Sequence, residues 1–194
     1  MIHRIAISVF ILLCASLLIL QRFDSPKTIT PTLIASSNST LAINQTFRRG
    51  ETLETKKEET LLLQIGNNRV GLDQNTTIIF QDLNAAAPIL KFTRGRIYVD
   101  ARGDKPLFVD TNYIENIIQK SSATLVNFDF LEKVQIIPLE GYVQTTVKNS
   151  NESMLLPVAM EIKETPPAEY HAIEFNRMAA KNFYDWIDAE INVR

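Results

Sequence analysis

Residues 60–80 read TLLLQIGNNRVGLDQNTTIIF, and the fold turns on this stretch. Leu61, Leu63 and Ile65 recur with a period of two, so they share one face of an extended chain. Gly66-Asn67-Asn68 supplies residues that tolerate a tight turn, after which Val70 and Leu72 resume the alternation. Asp73-Gln74-Asn75 marks a second turn, and Ile78 and Phe80 share a face beyond it. A helix would need apolar residues three and four apart without interruption, and the two turn clusters break that spacing.

The same pattern continues outward. Ile97, Val99 and Ala101 alternate with Arg96, Tyr98 and Asp100, and Leu107 and Val109 follow the turn signal Gly103-Asp104-Lys105-Pro106. Val134 and Ile136, then Val143, Thr145 and Val147, carry it across Gly141. Short alternating strands with turn signals at intervals of about 8–12 residues predict a mainly β fold, an antiparallel β-sandwich or roll, over residues 41–164. No strand-length run calls for burial on both faces, which argues against a parallel α/β core.

The C-terminal residues 165–194 change period. Thr165-Pro166-Pro167 offers an N-cap followed by proline at the first helical positions. Ala172, Phe175, Ala179, Phe183 and Trp186 recur at helical spacing, opposite Glu174, Arg177, Lys181, Asp185 and Asp188. This predicts an amphipathic helix of about five turns whose aromatic stripe packs on the β domain. Its polar face mixes both signs of charge, unlike the basic face of a membrane-surface helix.

The other end is apolar. Residues 5–20, from Ile5 to Leu20, read IAISVFILLCASLLIL, an uncharged run of 16. With its flanks it approaches the roughly 20 residues that span a bilayer. Leu20-Gln21-Arg22-Phe23-Asp24 offers no small-x-small cleavage site, and Leu13 stands before Cys14 where a lipoprotein signal needs a small residue. Residues 1–22 therefore read as an uncleaved transmembrane anchor, with a cytoplasmic amino terminus and the domain in the periplasm or at the cell surface. Residues 23–40, rich in Pro, Ser and Thr, read as a tether.

Composition removes several chemistries. A net charge of -2 gives no basic excess for nucleic acid. The one cysteine, Cys14, lies within the anchor, so the outer domain has no internal disulfide or thiolate metal site. His3 precedes the anchor, which leaves His171 alone where a metal needs at least two or three such ligands. Neither a G-x-S-x-G elbow nor a glycine-rich phosphate loop is present. Ser153-Met154-Leu155-Leu156-Pro157 approaches the motif of Ser-Lys membrane peptidases, but its proline is one residue late and its serine lies at the wrong end of the domain. Asp100 with Asp110, or Asp129 with Glu140, could meet in a β fold, although solvated strand faces account for them. The expectation is a protein with no catalytic residue, no metal and no cofactor.

The order of motifs carries more. From Gly50 the chain reads GETLET, then the stretch quoted above, then ILKFTRGRIYVD, PLFVDT and IIPLEGYV. This order resembles FecR-type extracytoplasmic domains over about Phe47 to Val147. Gly50, Thr55, Leu72, Thr76, Gly95, Val109, Thr111 and Gly141 hold the family's structural positions. SSATLVNFDF lacks the Gly-Thr pair usual in the family, and only Met1 to Arg4 precede the anchor, where the signalling members carry an anti-sigma region. The resemblance implies a stand-alone, membrane-tethered sensing or assembly domain that meets an envelope protein or glycan. A second reading is an envelope lipid-transport or assembly part similar to the lipopolysaccharide-export component LptC, which also pairs a short anchor with a β-rich outer domain. Loops on a rigid β scaffold are where binding usually sits. Asn67 and Asn68, Asp82 and Asn84, and Arg102 and Lys105 are accordingly the candidate partner-binding residues.

Overall fold

The structure, a computed structural model, describes residues 27–103, 105–128, 133–148, 150–163 and 169–192. The anchor read from residues 5–20 lies outside them, and among the described residues no helix is long and apolar enough to cross a membrane.

Among the described residues, the alternating stretches form fourteen strands in two sheets. Sheet I runs β1 (Thr32–Ser37), β3 (Thr60–Ile65), β4 (Asn68–Leu72), β6 (Ile89–Ala101), β9 (Ser122–Phe128), β10 (Lys133–Glu140), β13 (Met160–Lys163) and β14 (Glu169–Ala172). Sheet II runs β2 (Thr52–Glu54), β5 (Thr77–Asp82), β6 again, β7 (Leu107–Asp110), β8 (Ile114–Ile118), β11 (Val143–Val147) and β12 (Glu152–Leu156). The first half of β6 pairs with β5 and the second half with β4 and β9, so one strand belongs to both sheets. It bends at Gly95, where φ is +98° and a Cβ would lie 2.5 Å from the Thr76 Cα. Only glycine accepts that backbone and that approach. Because the second half of β6 is engaged in sheet I, β7 lies alongside its first half in parallel. That parallel pair departs from the antiparallel arrangement expected from sequence.

The topology gives the sandwich two unlike ends. At one, the chain crosses between sheets four times, from β6 to β7, β8 to β9, β10 to β11 and β12 to β13; this is the crossover pole. At the other lie the linked ends of the antiparallel pairs β7–β8 and β11–β12, the Gly95 bend and two further crossings, from β2 to β3 and from β4 to β5; this is the hairpin pole. Between the sheets, Leu61, Leu63, Ile65, Val70, Leu72, Ile78 and Phe80 are fully buried, as their shared-face pattern requires. Val109 is buried among them, and Phe47 stacks on Phe80 with ring centroids 5.2 Å apart.

Two segments differ from their sequence reading. The expected tether contains β1, which pairs with β3 and buries Leu33 and Ala35, so the domain begins well before residue 41. Pairing with an open sheet edge folds a stretch whose own periodicity is weak. The expected five-turn helix is also divided. Glu169–Ala172 is an edge strand, held by its ladder to β13 and by Tyr170 packing on the core. Helix α1 occupies only Lys181–Asn192, after a 3-10 turn over Arg177–Ala180 in which the Asn176 side chain accepts from the Met178 N–H. The helix covers the outer face of sheet I, and the residues it buries are Phe183, Tyr184 and Ile187 against Ala35, Leu62 and Ile137. Phe175 stays 37% exposed, and Trp186 is only partly covered. Gly71 makes room for the helix, since a Cβ there would lie 2.2 Å from the Ile187 Cδ1.

Candidate functional site

Three loops named from sequence come together at the crossover pole. The β3–β4 turn at Gly66 and Asn67, the β5–β6 loop at Ala85 and Pro88, and the β6–β7 loop at Gly103 and Lys105 line one cleft of about 200 Å³. Ile29, from the segment read as tether, completes its wall. Beside it a second cleft, of about 480 Å³, is lined by Thr28–Thr30, Thr46–Arg49 and residues 82–84. Sequence reasoning missed this second group. The adjacent pair Arg48-Arg49, directly before the Gly50 motif, was the signal that could have found it.

The six candidate residues have different environments. Asn67 is exposed, but Asn68 is buried and its Oδ1 accepts the Gly103 N–H at 2.9 Å. Asn68 therefore ties two loops together rather than facing a partner. Asp82 accepts from the Asn84 N–H at 3.2 Å, and Asn84 accepts in turn from the Ala86 N–H at 2.9 Å, so both brace their own loop. Arg102 donates through Nε to Asp100 at 2.6 Å. Lys105 is exposed and joins no ion pair among the described residues. The N-terminal segment is bound into this pole: Ala85 N–H donates to the Lys27 carbonyl at 2.7 Å, and Ile29 N–H donates to the Leu83 carbonyl at 2.8 Å.

Most of the motif threonines lie at the hairpin pole. Thr55 Oγ1 donates to the Asp73 carbonyl at 2.5 Å and accepts from Thr76 N–H at 2.8 Å. Thr76 Oγ1 accepts from Arg96 N–H at 3.0 Å, and Arg96 reaches Asp73 at 2.8 Å and Asn127 at 2.7 Å. These bonds satisfy backbone groups where both sheets bend. Thr111 plays the same part in the β7–β8 turn, on the Ile114 N–H at 3.2 Å. Gly50 and Gly141 have φ of +84° and +73°, values that favour glycine.

The chemistry considered from sequence is dispersed. Asp100 pairs with Arg102 at the crossover pole and Asp110 with Lys148 at the hairpin pole, so the two carboxylates lie apart. Asp129 lies outside the described residues. Ser153 shares a hydrogen bond of 2.8 Å with Thr146. His171 is exposed beside Glu169, 3.9 Å away. Among the described residues no group of three or more His, Cys, Asp or Glu side chains is placed to hold a metal ion. Tyr98 is pushed up to about 12 and Tyr184 is raised further, in both cases chiefly by burial, as expected of hydroxyls at the contact between helix and sheet.

No protein-family model matches the chain, and no curated protein sequence matches it. Solved structures do share its fold. Two crystal structures from Parabacteroides distasonis, each of a protein assigned as an anti-sigma factor, superpose with TM-scores of 0.55 and 0.56, each at 13% identity. The matches cover 67% and 68% of this chain, and 63% and 64% of the matched chains, so less than two thirds of the length of each is spanned. The likeness defines the class: a mainly β domain of the kind found in those structures.

Proposed function

We propose that this chain is a membrane-tethered extracytoplasmic domain of FecR type, with a sensing or regulatory role, working by macromolecular contact rather than by turnover. The observation that carries the contact reading is β12. Among the described residues it is an open edge of sheet II, and the apolar side chain of Leu155 on it is 55% exposed. An unpaired strand edge offers backbone donors and acceptors to an added strand, with side chains of alternate residues setting specificity. The shared fold with a protein assigned as an anti-sigma factor supports the sensing role. The interior supports contact over lipid transport in the manner of LptC, because the space between the sheets is filled by fully buried side chains instead of forming an apolar trough.

The test is photo-crosslinking in cells from Leu155 of the full chain, with an exposed control at Asn112. A discrete envelope adduct from Leu155 alone is the expected result. A chain that traps nothing, yet hydrolyses a peptide or glycan bond in a manner abolished by Ser153→Ala, is an enzyme.

A further inference from the structure

The folding of the expected tether shortens the distance between domain and anchor. The chain is bound into the crossover pole from Lys27 onward. If residues 5–20 are the anchor, a reading on which this inference rests, only residues 21–26 (QRFDSP) separate the two. Six residues span at most about 20–22 Å when fully extended. The crossover pole is thus the end of the domain turned toward the bilayer, within reach of its headgroups.

The charges at that pole suit such a surface. Lys27, Arg48, Arg49, Lys105 and Lys120 are all exposed, and none of them joins an ion pair among the described residues. They come from the N-terminal segment and from the β1–β2, β6–β7 and β8–β9 connections, and the topology alone gathers them. Five acids stand nearby, against these five cations and Arg102. Asp100 is engaged by Arg102, Asp82 accepts from the Asn84 N–H, and Glu51 accepts from the Arg48 N–H at 2.9 Å. Glu140 is exposed, and Asp104 precedes Lys105 in the chain. At the hairpin pole Arg94, Arg96, Lys133 and Lys148 each face a carboxylate, while Lys56 is exposed and joins no ion pair among the described residues.

Apolar side chains accompany the cations. Leu139, near the end of β10, is 41% exposed, and Tyr142 and Val158, on the β10–β11 and β12–β13 crossings of this pole, are 45% and 56% exposed. Cations beside an exposed aromatic and aliphatic rim match a bilayer surface, where charge meets the headgroups and the apolar tips enter the boundary beneath.

We propose that the crossover pole rests on the bilayer, with Lys27, Arg48, Arg49, Lys105 and Lys120 against anionic lipid headgroups and Tyr142 at the interface. The loops carrying Asn67, Asp82, Asn84, Arg102 and Lys105 then face lipid. The tether becomes an orienting strap rather than a spacer.

The full chain, with Cys14→Ser, is reconstituted into phosphatidylcholine vesicles with and without phosphatidylglycerol. A fluorescent label is placed through Tyr142→Cys or, at the hairpin pole, through Asn112→Cys, and quenching by a headgroup-nitroxide lipid is measured. Expected is strong quenching at position 142, little at 112, and loss of the 142 signal on omitting phosphatidylglycerol, on raising salt, or in Arg48→Glu/Arg49→Glu/Lys105→Glu. The salt titration on the chain without these charge reversals keeps the test independent of whether the triple variant folds. Equal quenching at both positions, or a 142 signal indifferent to lipid charge and salt, overturns the docking while leaving the anchor intact. A chain that washes off the vesicles in alkaline carbonate removes the anchor reading and this proposal together. A 142 label shielded in detergent by chain-to-chain crosslinking assigns the pole to a second copy and also overturns it.

Discussion

The two ends of this sandwich use polar residues for opposite purposes. At the hairpin pole Thr55, Thr76, Asp73 and Arg96 turn inward and satisfy backbone and one another where the sheets bend. At the crossover pole Arg48, Lys105 and Lys120 are exposed and join no ion pair among the described residues. A buried polar group left without its partner costs about 1–3 kcal/mol, whereas an exposed charge can be changed at little cost. The first end is therefore constrained by folding and the second is free to be shaped by what it touches.

The strongest way to break the hairpin pole is Gly95→Ala. A φ of +98° and a Cβ 2.5 Å from the Thr76 Cα impose two separate costs. Together they amount to about 2–6 kcal/mol, from backbone strain and overpacking. Denaturant unfolding of the domain should show that loss or no folded state at all; a wild-type midpoint would mean that Gly95 is no bend point.

Helix α1 links the two ends. It starts near Asp73 and Gln74, and Arg69 donates to the Ile191 carbonyl near its finish, at 3.2 Å. Ile187→Ala should cost about 2–5 kcal/mol, since its side chain is fully buried over Gly71. A melting temperature unchanged by that substitution would make the helix an independent arm.

Asn68→Ala is a sharper probe, because Asn68 sits at the crossover pole yet is built like the hairpin pole. Removing its Oδ1 leaves the Gly103 N–H without its acceptor, at a cost of about 1–3 kcal/mol. If the measured loss is nil, a water reaches Gly103 and the cleft that it and Asn68 line is looser than the hydrogen bond implies.

A smaller effect follows from Glu161. Hydrogen bonds from Gln135 and Lys133 hold its carboxyl below the ordinary value. Its folded pKa is depressed, so its contribution is complete above the ordinary carboxylate range and is lost as pH falls through the folded value. Glu161→Gln should flatten the acid limb of a stability–pH curve. Identical limbs in the two proteins would remove Glu161 from the account.

The smallest change is expected for Arg49→Ala and Lys105→Ala, each within about 0.5 kcal/mol of wild type in stability. A larger loss from either would place it with the fold-bearing residues and close the contrast between the poles.

Much of the fold was legible because side-chain alternation is a local property. A strand exposes every second residue to one face whatever its neighbours do, so Leu61, Leu63 and Ile65 declare themselves. Gly95 and Gly141 entered from sequence only as positions of a family resemblance, and their φ of +98° and +73°, with the bend of β6 at Gly95, came from the structure. The candidate site was half legible. The turn residues at 66–68, 82–88 and 102–106 marked loops, and the structure brings all three together, but nothing local distinguished exposed Asn67 from buried Asn68.

The sequence by itself determined that this chain alternates into short strands, that its helical period is confined to the C-terminal end, and that an apolar run precedes the domain. Tertiary structure decided the rest. β1 and β14 are strands because an open sheet edge and a core surface were there to receive them, not because their own residues insist. Which face of the helix is buried depended on Gly71 opening a space for Ile187. The five cations of the crossover pole lie between positions 27 and 120, and only the folding of one strand across two sheets brings them to one end. Pairing between distant segments is a property of the whole chain, and a local pattern carries no record of it.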